Sequence, residues 1–206
     1  MKIVDLLQKS PPMFVDIGKA LDGNAKRDCK TLVISNPDNT LCYVAANHAK
    51  GLPKENFHSL SKLDHQRGIY QLAKRLNVHI SQLGHFCIWG NHSGSMYPDS
   101  THLTLDGEFI GDKINQDWID QVFIPKIQQR AFEVFYSLDS TSVGSSGTAA
   151  INHMREWMTS TNGNWTSFGV PSDGSYGVPE GLISSTPVIV ENGQYKIVHH
   201  IDLNEL

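Results

Sequence analysis

A chain of 206 residues that is 39% hydrophobic and 18% charged, with a formal net charge of −4, has apolar material for one sizeable core and neither a disordered nor a polyanion-binding composition. No basic patch interleaved with aromatics occurs, so no nucleic acid is expected as partner. No apolar stretch approaches bilayer length, so neither membrane insertion nor secretion is expected.

The three cysteines, Cys29, Cys42 and Cys87, are odd in number, widely spaced and set among apolar residues. They read as buried, reduced thiols of a cytoplasmic protein. In chain order, "VDLLQKS" and "PPMFVDIGKALDGNAK" place Leu6, Leu7, Phe14, Ile17 and Leu21 at helical spacing around Pro11 and Pro12. The pattern predicts two helical pieces, the second ending near Gly23. "TLVISNPDNT" and "TLCYVAANHAK" then read as strand, tight loop and helix, the unit of an α/β sheet covered on both faces. Ligands of such sheets gather at the carboxyl ends of the strands, where Asn36 falls.

From Leu63, "LDHQRGIYQLAKRLNV" puts Ile69, Leu72, Ala73 and Leu76 on one helical stripe, with Asp64 and Arg67 on another face near its start. "HFCIWGNH" reads as a strand that stops in glycine and delivers His92 into a loop. "WIDQVFIPKIQQRAFEVFYSL" predicts a long helix bent near Pro125, and "GTAAINHMREWM" a helix entered through a Gly/Ser loop. The tail "TPVIVENGQYKIVHHIDL" alternates around Asn192-Gly193, a strong hairpin signal. The second half is thus expected to pack helices on a mostly antiparallel sheet.

His92 needs partners, and Asp64 and Arg67 are candidates. A carboxylate on one ring nitrogen fixes the tautomer and favours the protonated imidazole, leaving the other nitrogen to exchange a proton with substrate. An arginine beside them grips a carboxylate through two parallel bonds. The simpler readings are a helix cap for Asp64, a structural ion pair for Arg67 and a turn-shaping role for Asn36. His199 and His200, adjacent in a predicted strand, point to opposite faces, and no metal is expected. "GNHSG" has histidine where a serine-hydrolase elbow has its nucleophile, and "VGSSGT" lacks the lysine of a phosphate loop.

The four stretches "SNPDNT", "GLPKENFHSLSKLDHQRG", "IWGNHSGSMYPD" and "GVPSDGSYGVPEGLISSTPVIV", in that order, resemble the malate dehydrogenases, specifically the cytosolic type, over nearly the whole chain. The resemblance implies an α/β fold: a remnant of a Rossmann parallel sheet over residues 1–62, followed by the α+β catalytic domain of lactate/malate dehydrogenases over 63–206. It implies reversible oxidation of malate to oxaloacetate with NAD, NADP not being excluded, usually by a homodimer. It matches His92 to the proton acceptor, Asp64 to its paired carboxylate, Arg67 to a substrate-carboxylate arginine and Asn36 to a substrate and nicotinamide contact. Ile34 and Ser35 fall where backbone meets the cofactor.

The same alignment marks departures. The family's glycine-rich cofactor turn has no counterpart. Of two further arginines, one falls before Met1 and the other lands on Ile3. Ile17 replaces a polar cofactor contact, and Leu206 falls short of a final helix. In a sheet ordered 3-2-1-4-5-6, "TLVIS" is left without its inner neighbour, exposing an edge and apolar helix faces. The expectation from these departures is a dehydrogenase that is poor or inactive alone. The alternatives are a non-catalytic partner subunit docking on a full-length homologue, a truncated product, or a related 2-hydroxy-acid dehydrogenase such as one for lactate.

Overall fold

Pro11 and Pro12 open helix α1 (Pro11–Asn24), where the amide hydrogens they lack would have had no helical acceptor. The computed structural model describes residue 7 and residues 9–203; Leu6, Ile3 and Leu206 lie outside the described residues. Helix α1 buries Phe14 and lies so close to helix α2 (Asp38–His48) that a Cβ built at Gly18 would sit 2.5 Å from the Ala45 carbonyl oxygen. Strand β1 (Thr31–Val33) leads through the Asn36-Pro37 loop into α2, and the chain returns in strand β2 (Phe57–Ser59), parallel to β1 with Thr31 opposite Phe57. The strand, tight loop and helix are those the sequence predicts, and β2, which it does not mark, completes a strand-helix-strand unit. Its core is Phe14, Val33, Leu41, Cys42, Ala45 and Phe57.

β2 then meets strand β8 (Thr166–Pro171) antiparallel at Ser59 opposite Gly169. A Cβ at Gly169 would fall 1.9 Å from Ser59 Oγ, so only glycine permits this pairing. Strands β9 (Ile183–Glu191) and β10 (Gln194–Ile197) complete a five-stranded mixed sheet in the order β1-β2-β8-β9-β10. β1 edges that sheet, as expected. The β9–β10 hairpin turns at Asn192 and Gly193, both with positive φ (51° and 76°), the geometry that a two-residue Asn-Gly turn supplies.

Helix α3 (Lys62–Leu76) follows β2 directly and buries Leu72 and Ala73 with Ile69 and Leu76 beside them. Strand β3 (Leu83–Gly84) precedes strand β4 (Cys87–Trp89), which pairs antiparallel with strand β5 (Tyr97–Asp99). Two short strands, β6 (Thr104–Leu105) and β7 (Glu108–Phe109), extend β3. Helix α4 (Ile124–Leu138) continues from a turn at Gln116–Trp118 through a π-helical stretch, Ile119–Phe123. The wider turns end where Pro125 cannot donate, a physical cause for irregularity at the predicted place. Phe86, Ile88, Leu103, Phe123 and Ile127 fill this second core.

Helix α5 (Val143–Met158) lies over the antiparallel strands, burying Trp157 against Phe168 and Val188. It begins at Val143, so Gly144 to Gly147 form its first turns and not an entry loop. β10 ends at Ile197, so His199 and His200 lie past the strand, and the opposite-face reading of those two falls with it. Cys42 and Cys87 are buried free thiols, whereas Cys29 is half-buried. Among the described residues no helix is long and apolar enough to cross a membrane.

Candidate active site

Three segments carry the predicted residues to one place. Helix α3 presents Asp64 in its first turn and Arg67 one turn later. Strand β4 ends in Gly90 (φ 90°), whose backbone exchanges two hydrogen bonds with Ser185 of β9 (Gly90 N to Ser185 O 3.0 Å, Ser185 N to Gly90 O 2.7 Å). The Ser185 hydroxyl donates to the Ile88 carbonyl at 2.7 Å. Two residues past this clamp, the His92 amide donates to Asn39 Oδ1 at 3.1 Å, and Asn39 Nδ2 donates to the Ile183 carbonyl at 3.3 Å. The loop that delivers His92 is therefore fixed from both β9 and the start of α2.

There His92 Nδ1 hydrogen-bonds Asp64 Oδ2, and Arg67 Nη1 donates to Asp64 Oδ1 at 3.2 Å. Asp64 is 1% exposed, so each oxygen of a buried carboxylate has a cationic or protonated partner. It makes no cap bond: the residue at the helix N-cap is Ser61. Arg67 Nη2 donates to the hydroxyl of Ser142, just before α5, at 2.9 Å. Burial lowers Arg67 from its ordinary range, with Asp64 opposing that and Arg130 adding to it.

Burial also works against a charged His92, but the hydrogen bond and charge of Asp64, with the charge of Asp38 adding, prevail over burial and Arg67 and raise it to about 9. The imidazole thus rests protonated at neutral pH. Among the described residues His92 Nε2 has no hydrogen-bond partner, which leaves that nitrogen for a ligand.

Asn36, Ser35 and Ile34 lie at the carboxyl end of β1, in the loop that leads to Asn39. Asn36, Ser35 and Ile34 are all exposed, Ile34 by 56%. None of the three touches the His92–Asp64–Arg67 cluster through a hydrogen bond; Asn39 makes that link. Sequence reasoning passed over Asn39, Asp38, Ser142 and Ser185. For the first two the signal was available, because they follow Asn36 in the same short loop. Ser142 and Ser185 are distant in sequence and had no local mark.

Asp38 is 3% exposed. Its Oδ1 accepts the Asn39 amide at 2.7 Å and its Oδ2 the Leu60 amide at 3.1 Å. Burial raises its carboxyl to about 7, with His92 opposing and Asp64 assisting.

With this geometry in hand, relatives can be compared. Residues 61–206 match the family model for the lactate/malate dehydrogenase, alpha/beta C-terminal domain. The chain belongs to the lactate/malate dehydrogenase family. Among solved structures of that family, malate dehydrogenase from Naegleria fowleri is 33% identical with a TM-score of 0.92; 99% of this chain and 63% of that one are covered. Trichomonas vaginalis lactate dehydrogenase, solved with NADH and oxamate, is 35% identical with a TM-score of 0.93, covering 98% of this chain and 64% of that one. Malate dehydrogenase from Plasmodium falciparum, 18% identical with a TM-score of 0.85, shares the fold. The chain spans about 63% of the length of the first of these solved relatives.

The carboxyl end of β1 exposes Ile34, Ser35 and Asn36, the end of a parallel unit where such sheets take their ligands. Among the described residues no glycine-rich strand-to-helix turn precedes β1 to take a pyrophosphate. Nor do three or more His, Cys, Asp or Glu side chains converge as a metal ion requires.

Proposed function

We propose that this site exchanges a proton and a hydride with a 2-hydroxy acid, malate going to oxaloacetate and back, with NAD as the partner that takes or gives the hydride. The observation that carries the reading is the buried Asp64 carboxylate shared between His92 and Arg67. In the reductive direction His92 Nε2 gives its proton to the carbonyl oxygen of the ketoacid as C2 receives the hydride. In the oxidative direction the same nitrogen takes the hydroxyl proton. Asp64 offsets the charge that His92 holds, and Arg67 grips the carboxylate next to the reacting carbon. Bound nicotinamide supplies or accepts two electrons and one hydrogen, chemistry no side chain here provides. Ile34, Ser35 and Asn36 would line the nicotinamide end.

The run "GNHSGSMYPD" favours malate within this reading. Lactate is the second reading, favoured by the Trichomonas vaginalis lactate dehydrogenase, at 35% identity. A cytoplasmic homodimer, or pairing with a full-length homologue, completes the proposal. The test is calorimetric: oxaloacetate and pyruvate, each with and without NADH, titrated into the chain and into its Arg67→Lys and His92→Gln variants. Oxaloacetate is expected to bind better than pyruvate, and Arg67→Lys to weaken it roughly tenfold to a hundredfold through loss of a charge-assisted bond. Heat indifferent to Arg67→Lys overturns the site, and preference for pyruvate overturns malate.

A further inference from the structure

Asp38 opens α2, where a carboxylate suits the helix N-terminus and accepts the Asn39 amide, yet a residue in that role is ordinarily solvated, and Asp38 is 3% exposed. Burying a carboxylate at that depth costs free energy that its partners must offset. Its two hydrogen bonds show what it touches. Through the Asn39 amide it joins the residue that holds the His92 backbone. Through the Leu60 amide it joins the end of β2, four residues before Asp64 on the chain. Asp38 therefore ties together the two segments whose side chains meet at His92 Nδ1.

We propose that Asp38 is a second carboxylate of the site, a positioning residue that holds a proton on His92 and so keeps the resting site in its proton-donor form. The proposal rests on His92 being the proton-exchanging group. The groups that face Asp38 are His92 from the loop after β4, Asp64 from α3 and Cys42 from one turn further along α2. His92 itself faces Asp64, Asp38 and Arg67. Asp64 has its charge divided between His92 and Arg67; among the described residues Asp38 hydrogen-bonds two amides and no cation, and the His92 imidazolium is the positive charge that acts on it.

The consequence follows from the order in which these groups ionise. Asp38, raised to about 7, gains its charge just where an isolated histidine would already have lost its proton, and His92 holds its own to about 9. Between those values the ionised Asp38 and protonated His92 coexist. Reduction of a ketoacid draws on the protonated imidazole; oxidation of a hydroxy acid needs it neutral. Asp38 thus widens the pH range over which the site is ready for reduction and pushes the onset of oxidation to higher pH.

The experiment uses ligand-free protein, so it is independent of whether oxaloacetate binds. The His92 ring is titrated by nitrogen-15 NMR in the chain and in Asp38→Asn, and the Asp38 carboxyl by carbon-13 NMR in the chain and in His92→Gln. In Asp38→Asn the His92 midpoint is expected to fall by about one pH unit. Coupling is reciprocal, so in His92→Gln the Asp38 midpoint is expected to rise by a similar amount. The His92→Gln arm separates charge from scaffolding, because there the Asp38 hydrogen bonds to Asn39 and Leu60 stay in place and a structural staple alone leaves the Asp38 midpoint unmoved. A His92 midpoint within about 0.3 of the parent overturns the proposal, and if Asp38→Asn does not fold, an unmoved Asp38 carboxyl in His92→Gln does so by itself. Failure of oxaloacetate to bind while both midpoints move removes the proposed reaction and leaves the coupling standing.

Discussion

Replacing Asp64 by Asn separates the electrostatic role of this carboxylate from its shape. The amide keeps an oxygen for the His92 Nδ1 hydrogen but no charge. His92 stands at about 9 against an ordinary 6.5, a difference worth about 3 kcal/mol at ~1.4 kcal/mol per pH unit. Because the folded value is raised, that stabilisation is fully present below pH 6.5 and is lost as the pH climbs through 9. Loss of the Arg67 bond costs the same at every pH in this range, since the guanidinium stays charged. Asp64→Asn is therefore expected to destabilise more at pH 6 than at pH 10; with Asp38 still acting on the ring and burial still opposing its charge, the difference between the two penalties is on the order of 3 kcal/mol. For a chain of this size that corresponds to roughly 6 to 12 °C in Tm. Thermal melts of both proteins at the two pH values read it directly. Equal penalties at pH 6 and pH 10 would refute the assignment of His92 as a protonated partner of Asp64.

Burial holds His58, His65 and His153 well below 6.5, with nearby charges, His153 and Lys30 for His58 and Lys62 for the others, pushing the same way. Folding therefore keeps all three neutral, and stability present above pH 6.5 should fall steeply below it, by up to about 4 kcal/mol per pH unit; urea midpoints flat from pH 7 to pH 5 would contradict this. Gly18→Ala places a methyl group 2.5 Å from the Ala45 carbonyl oxygen, so α1 must move off α2. The expected cost is about 1 to 3 kcal/mol in urea unfolding, and a variant as stable as the parent would show that the helix crossing is looser than described.

The order of elements was legible because each carried its own local signal. The stripe Ile69, Leu72, Ala73 and Leu76 is the inner face of α3, and Asn192-Gly193 is the hairpin turn. The meeting of Asp64, Arg67 and His92 was legible from residue type and position: a helix start and a strand end, each carrying a polar group that only a shared crevice would use. The supports of that meeting were not legible. Ser185 reaches Gly90 across 95 positions of the chain, and Ser142 reaches Arg67 across 75. A serine is too common, and its hydroxyl too adaptable, for sequence to mark which one holds a site together. The Gly/Ser run ahead of α5 was misplaced for a related reason. Glycine and serine disfavour a helix interior, yet packing of Ala149, His153 and Trp157 on the sheet carries the helix back through them.

How firmly His92 is aimed depends on few bonds. β4 and β5 form their own pair, and among the described residues their backbone-to-backbone link to the five-stranded sheet is the single Gly90–Ser185 bridge. No continuous ladder therefore transmits the position of β9 to the loop that carries the imidazole. What transmits it is side chain to main chain: Ser185 to Ile88, Asn39 to both His92 and Ile183, and Asp38 to Asn39 and Leu60. All but the Asp38–Asn39 bond, which joins neighbours at the start of α2, cross between segments; they close a circuit through β9, β4, the His92 loop and α2, and Asp38 ties the end of β2 to it. The proton exchange proposed for His92 requires its imidazole to be held to within about half an ångström of its working position. A closed circuit of buried bonds meets that demand better than one strong contact, because no single segment can shift without stretching bonds to two others. Asp38 belongs to the circuit by geometry and to the proton equilibrium by charge, so the loop that fixes where His92 points also acts on how long it keeps its proton.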